Sequence, residues 1–328
     1  MSHRPPPPDL LLRAYAGEQD LSIVVRLFNA ENEADGIPAR HTVAGLRADY
    51  AIANEQFDPT RDVTIAEVRG EPVGVAISEW VDVNDENLRE YELFGVVHPA
   101  WRRRGIGSAL LEANERRARQ LAQQHDTARG KIFGTFAGEH QTGARSIIEG
   151  AGYEAVRYFF DMLRPLREPI LQATLPPGIE VRPVTPALYR QLWLAESDAF
   201  RDHWGGFDTS EEAFARWRNS PHFDPELFVV AFDGDEIAAG VINGIYPEEN
   251  LELGVARGWL NGVFTRRAWR RRGLARALIL RSFELLLSRG LDEAALGVDA
   301  DNPSGALALY ESVGFRVANR YTSYRKRM

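Results

Sequence analysis

The phrase WRRRGIGSALL at Trp101–Leu111 returns as WRRRGLARALI at Trp269–Ile279, 168 residues further on. A chain that repeats so unusual a string is built from two copies of one unit, and self-similarity outranks local signals in deciding a fold. The repeat extends well beyond the phrase. Phe57-Asp58-Pro59 recurs as Phe223-Asp224-Pro225, and Gly74 in PVGVAIS recurs as Gly240 in AAGVING. EGAGYEAVRYFFDMLR at 149–164 recurs as ESVGFRVANRYTSYRK at 311–326. The order is kept and the offset barely changes. The proline-rich stretch 165–178 therefore reads as a linker between a first half over 10–164 and a second over 179–328. Residues 1–9, with four consecutive prolines, read as a short, stiff, disordered tail.

Each half has the same plan. A strand (LLRAYA; IEVRPV) is followed by one or two helices, then by a hairpin turning at Arg69-Gly70-Glu71 or Asp233-Gly234-Asp235. A longer strand (YELFGVV; WLNGVFT) leads into the arginine–glycine phrase and an amphipathic helix. In the second half that helix places Leu278, Ile279, Ser282, Phe283 and Leu286 on one face. A strand (AALGVDA), a short helix and a final strand complete the unit. The fold class expected is α/β: two tandem units, each a mixed, mostly antiparallel central sheet flanked by helices, rather than a repeated βαβ array.

Composition closes off several functions. There is no cysteine, hence no disulfide, thiolate metal site or cysteine nucleophile, and the seven histidines fall at no metal-ligand spacing. A net charge of −8 argues against nucleic acid as a partner. Lys131 and Lys326 are the only lysines, so nearly all positive charge is arginine. Apolar runs such as LFVVAF at 227–232 are far shorter than the roughly 20 residues that span a bilayer. The N-terminal residues lack the apolar stretch of a signal peptide, so a cytoplasmic protein without membrane contact is expected.

The repeated phrase lies between a strand and the first turn of a helix. There the backbone N–H groups lack helical partners and the helix dipole adds partial positive charge, a combination suited to phosphate. Glycine lets a backbone approach a pyrophosphate closely, and arginines add charge-assisted hydrogen bonds. A dinucleotide fingerprint would need glycine or alanine where Leu110 and Leu278 stand, and a βαβ setting. A Walker loop would need lysine where GEHQTGAR at 138–145 has Ala144. The bland alternative, a solvated helix start, weakens once two copies share the same context.

Arg102-x-x-Gly105-x-Gly107 and Arg270-x-x-Gly273-x-Ala275 resemble the acyl-CoA signature R/Q-x-x-G-x-G/A of the GNAT N-acetyltransferase superfamily, and the order of elements in both halves is similar to that family's. The resemblance implies acetyl-CoA as acyl donor. Its pyrophosphate would lie on Arg103, Arg104, Gly105, Ile106, Gly107 and Ser108 or on Arg271, Arg272, Gly273, Leu274, Ala275 and Arg276, behind the signature residues Arg102 and Arg270. Its pantetheine arm would pair with Gly95, Val96 and Val97 or with Val263, Phe264 and Thr265. Gly95 and Gly262, inside strands, mark a bulge or a close backbone approach.

Family members commonly protonate the leaving thiolate with a tyrosine near the end of the unit, which implicates Tyr310, with Asn302 holding pantetheine or a water. Aligned on Tyr153 and Phe315, the first half has Ile148 and His140 at those two positions, and isoleucine donates no proton. The asymmetry is similar to that of the mycothiol synthases, tandem members whose C-terminal half is the catalyst. Some members carry a basic glutamate eleven residues before the signature arginine, where this chain has Tyr91 and Trp259. The base is left among Glu252, Asp299 and His203. Asp198, Asp202, His203 and Trp204 are alternatively a polar cap with a buried ring, or a pocket for a cationic amine. The expected activity is transfer of an acetyl group to a primary amine of a small molecule or peptide by the second half, in a monomer or homodimer. A mycothiol-synthase-like reaction and a non-catalytic acyl-CoA sensor are the alternatives.

Overall fold

The structure, a computed structural model, describes residues 4–37, 40–51, 55–84, 86–201, 209–301 and 305–328. In chain order the first half supplies β1 (Leu10–Ala14), α1 (Glu18–Asp35), α2 (Val43–Ala51), α3 (Pro59–Asp62), β2 (Val63–Val68) and β3 (Glu71–Val83). It continues with β4 (Leu88–Val97), α4 (Ile106–Gln124), β5 (Gly130–Gly138) and α5 (Thr142–Gly150). Then come β6 (Glu154–Pro165), β7 (Ile179–Arg182), α6 (Tyr189–Ala199), α7 (Glu211–Arg218), β8 (Val229–Asp233) and β9 (Glu236–Ile245). Last are α8 (Pro247–Leu253), β10 (Arg257–Thr265), α9 (Leu274–Ser288), β11 (Glu293–Asp299), α10 (Ala306–Ser312) and β12 (Arg316–Arg327).

The repeated tripeptide Phe-Asp-Pro has a local cause. Asp58 accepts a hydrogen bond from the N–H of Thr60, and Asp224 from that of Glu226, each capping a short turn whose first residue is proline. The hairpin turns form where expected, with Arg69 and Gly70 at φ 55° and 78° and Gly234 at 58°.

The chain forms two compact units. One holds the residues up to Tyr158 together with Asn319–Met328, and the other holds Phe159–Ala318. In the first the strand order is β1-β2-β3-β4-β5-β12, and in the second it is β6-β11-β10-β9-β8-β7. Every neighbouring pair is antiparallel except β4–β5 and β10–β11. The mixed, mostly antiparallel sheet with flanking helices is therefore present in both.

The halves read from the repeat and these units differ at the last strand. From Phe159 to Pro165, β6 pairs with β11, and from Tyr321 to Arg327, β12 pairs with β5. Side-chain chemistry fixes each strand in its unit. Arg164, 2% exposed, donates to the carbonyls of Val313, Pro165, Glu168 and Pro169 and lies 4.4 Å over the Phe283 ring. In the first unit, Lys326 reaches Glu115 at 2.7 Å and Arg325 reaches Glu86 and Glu90. Residues 165–178 are not a free linker, since Leu166 is buried and Ile170, Ala173 and Leu175 pack on the second core.

In α4 the sheet-facing side buries Ile106, Leu110, Asn114, Ala118 and Leu121, and in α9 it buries Leu274, Leu278, Ser282, Phe283 and Leu286. The one polar residue on each face is satisfied across the interface. Ser78 donates to Asn114, and Asn243 donates to Ser282. Each fully buried Leu or Phe contributes roughly 1.5–3 kcal/mol, so these faces fix where each helix begins, and with it the loop before it.

Candidate active site

At both copies of the phrase the strand passes through a single 3-10 turn (Pro99–Trp101; Arg267–Trp269) into the helix start. The backbones match. Arg103 and Gly105 have φ of 64° and 77°, and Arg271 and Gly273 have 61° and 81°. A left-handed arginine is uncommon, and its recurrence at the same step marks one loop design used twice. The arginine that opens each signature points back into its own unit. Arg102 forks onto Asp35 at 2.6 and 2.8 Å, while Arg270 donates to the carbonyls of Thr265 and Ala199. Arg276 is held by Ser312 at 2.7 Å. Arg271 and Arg272 stay exposed beside the α9 start, leaving two cations at a ring of orphan amides.

What stands before the two loops differs. Within residues 1–9, expected as a disordered tail, Arg4–Pro6 lie against the start of α4. Arg4 donates to the Arg103 carbonyl at 3.2 Å, and a Cβ on Gly105 would collide with the Arg4 carbonyl and sit 2.8 Å from Pro5 and Pro6. Before Gly273 no described atom lies within 4 Å of the same position.

The strands open in the same place. β4 pairs with β5 only from Leu88↔Gly130 to Glu92↔Gly134, and β10 with β11 only from Arg257↔Glu293 to Trp259↔Ala295. Beyond those points the edge of β4 or β10 has no strand partner on that side among the described residues, so Val263–Thr265 line the cleft between the parting strands, with the Thr265 carbonyl accepting from Arg270. β10 is bulged between Leu260 and Gly262. β4 is not: its pairing with β3 runs in unbroken register from Val83↔Leu88 to Gly74↔Val97, so the bulge expected at Gly95 is absent. A Cβ on Gly95 would make only an ordinary contact, 3.4 Å from the Val75 carbonyl. Gly262 is more constrained, because a Cβ there would collide with Oε1 of Glu196.

Glu196, on α6, is 7% exposed, and its carboxyl makes no hydrogen bond or ion pair among the described residues. Burial alone raises its pKa to about 7. Tyr310, on α10, is equally buried, packs edge-on to Phe315 at 6.0 Å, and has its hydroxyl pushed up to about 12 by burial. It is therefore protonated throughout the neutral range. The first unit also buries carboxyls. Glu31 rises to about 8 by burial, offset by Arg102, and Glu92 rises to about 8 by burial beside Glu79, its cross-strand neighbour.

Of the other residues expected at the site, Asn302, Asp202, His203 and Trp204 lie outside the described residues. Glu252 is exposed on α8. Asp299 is 3% exposed and accepts from the N–H of Asp301, closing its own turn. Asp198 is paired with Arg201 and Arg266. Glu196 was not among the expected residues, although a carboxylate between Leu192 and Ala199 on the apolar face of α6 is a readable signal. Among the described residues no group of acidic or histidine side chains could hold a metal, and no helix is long and apolar enough to cross a membrane.

Comparison with known proteins agrees with this geometry. Residues 189–315 match the acetyltransferase (GNAT) family, and residues 59–153 match an acetyltransferase (GNAT) domain. The chain is 30% identical to a mycothiol acetyltransferase of Salinispora arenicola, over 94% of this chain and 93% of that one. It is 32% identical to the mycothiol acetyltransferase of Clavibacter michiganensis, over 99% and 100%. Among solved structures it is similar to a GCN5-related N-acetyltransferase from Sphaerobacter thermophilus, with a TM-score of 0.77, 26% identity, and coverage of 98% and 96%.

Proposed function

Since the chain belongs to the GNAT acetyltransferase family as a two-unit acyltransferase, we infer that its second unit transfers an acetyl group from acetyl-CoA to a primary amine. The observation that carries this reading is the asymmetry between units. Only the second combines the bulged strand, an uncovered loop at Gly273 and a buried tyrosine on the last helix.

The second site fits an acyl-CoA. The first-turn N–H groups of α9, with Arg271 and Arg272, suit a pyrophosphate. The edge of Val263–Thr265 suits the two amides of a pantetheine arm, as a further strand would pair there. The cleft between β10 and β11 then directs the thioester toward the bulge at Gly262. A backbone N–H in that bulge would stabilise the developing oxyanion, and Tyr310 would protonate the departing thiolate. Asn302 is assigned to the same site from the sequence pattern. The first unit, with Ile148 where the second has Tyr310 and with β4 unbulged, is assigned no chemistry.

The test is Tyr310→Phe. Turnover, read as thiol release across a panel of primary amines, should fall about 100-fold or more, while acetyl-CoA affinity stays within about twofold. Unchanged turnover removes Tyr310 from the reaction. A second reading is favoured by the full-length likeness to mycothiol acetyltransferases: the amine would be that of a cysteinyl pseudo-sugar. It predicts that deleting the gene in a producing host makes the unacetylated thiol accumulate.

A further inference from the structure

Proton removal from the amine is the step still without a residue. At neutral pH a primary amine is an ammonium with no lone pair to attack a thioester, so the site needs a base on the acceptor's side of the cleft. The sequence offers Trp259 where some relatives have a glutamate, and the exposed Glu252 and turn-closing Asp299 are engaged elsewhere or face water.

Glu196 is placed differently. Its Oε1 lies against Gly262, inside the β10 bulge, and only the missing side chain there makes room for it. It comes from α6, on the sheet face opposite α9. Gly258 on β10 faces Leu286 of α9, whereas Gly262 and Phe264 face α6. A carboxylate at this depth without a donor is unfavourable for folding, so its retention calls for another reason.

The two units supply a second observation. Arg102 forks onto Asp35 and touches Glu31 at 3.5 Å near the end of α1, and Arg270 reaches the Ala199 carbonyl at the end of α6; of these contacts, Glu31 and Ala199 keep the 168-residue offset of the arginines themselves. In that register Glu196 corresponds to Phe28. The unit that lacks Tyr310 thus also lacks Glu196 and the bulge beside it. Three features of acyl-transfer chemistry are present together in one unit and missing together in the other.

We propose that Glu196 is the general base of the second unit, which rests on the acetyl-transfer reading above. Glu196 takes one proton from the acceptor's ammonium, and the freed nitrogen lone pair forms the C–N bond at the thioester carbonyl. The C–S bond breaks with its electron pair on sulfur, which takes the Tyr310 proton. The second proton shed by nitrogen restores Tyr310, and Glu196 returns its proton to water. No described charge competes for Glu196. On α6, Arg190 is paired with Glu211 and Asp198 with Arg201 and Arg266; Arg270 is spent on carbonyls; Arg257 of β10 is on Glu293 and Glu249. β9 carries no charged residue beyond Glu236, and α7 turns Phe214 and Trp217 toward Trp193.

The test uses the full chain carrying 13C at glutamate carboxyls, titrated between about pH 5.5 and 8.5, free and saturated with acetonyl-CoA, a donor analogue that cannot transfer. One carboxyl resonance titrating near 7 should vanish in Glu196→Gln, and its midpoint should move by about half a unit or more when the analogue's acyl group displaces water beside it. Glu196→Gln should bind the analogue within about twofold of wild type. With any amine turned over in the panel it should lose about 100-fold in kcat/KM together with the acidic limb of the pH profile, which Glu196→Asp should keep. Analogue bound with the Glu196 midpoint unmoved overturns the assignment and leaves the acetyl-transfer reading standing. Failure of the analogue to bind overturns both.

Discussion

Replacing Glu196 by glutamine should stabilise the second unit, and by more at high pH than at low. The carboxyl has a pKa of about 7 in the folded protein against an ordinary 4.5. A group whose pKa is raised on folding contributes least at high pH, because the folded state must either hold a buried charge or keep a proton the solvent would take. With 1.36 kcal/mol per unit, burying the carboxyl costs about 3.4 kcal/mol at pH 8.5, where both states are largely ionised, and only about 1.4 at pH 5.5, where the folded carboxyl is protonated and the unfolded one still mostly ionised. Glutamine carries no such term. Any fixed difference in amide packing cancels between the two pH values, leaving a differential of about 2 kcal/mol. For a unit of this size that is roughly 4–8 °C in Tm. Scanning calorimetry of wild type and Glu196→Gln at the two pH values reads it directly. A Tm difference that does not change with pH, or a variant less stable at pH 8.5 than at 5.5 relative to wild type, refutes the claim that an unpartnered carboxyl titrates there.

Acetyl-CoA titrated calorimetrically should fill one site. Gly273→Glu should abolish it and Gly105→Glu should leave it, since residues 4–6 already cover Gly105; two sites in wild type would reinstate the first loop as a ligand site. Arg164→Met leaves four carbonyls, that of Val313 buried and the others partly so, short of their donor and should destabilise the second unit by about 3 kcal/mol in urea unfolding, with Arg164→Lys recovering little. Removing residues 319–328 should lower the melting of the first unit, whose β5 loses its partner, rather than that of the second. A fragment of 159–318 should keep native circular dichroism where 179–328, lacking β6, should not.

Whether the sequence displayed a feature depended on the range of the interaction behind it. Short-range chemistry was visible. The Asp-Pro caps, the hairpin turns and the buried stripe of α9, Ser282 included, follow from residues a few positions apart, and they form as the patterns require. Placement of the last strands was not visible, because β6 and β12 repeat each other so closely that pattern alone pairs each with its own half. What decides is where single cations find their partners: Arg164 among carbonyls of the second unit, Lys326 on Glu115 of the first. The proposed base was hidden for the same reason. Glu196 reads as one more polar residue in AESDAF until β10 is seen to bulge and to leave its glycine facing α6, and a bulge is a register event between strands, not a property of either. The asymmetry between units nevertheless has a sequence trace. Ile148 against Tyr310 shows it, and Phe28 against Glu196 repeats it at the 168-residue offset of the two signature arginines. On the proposed assignment, these two polar-to-apolar changes leave the first unit without either proton-transfer group. The loop at Arg103–Gly105 keeps its left-handed backbone in the meantime because that geometry sets the start of α4 whether or not a phosphate ever rests on it.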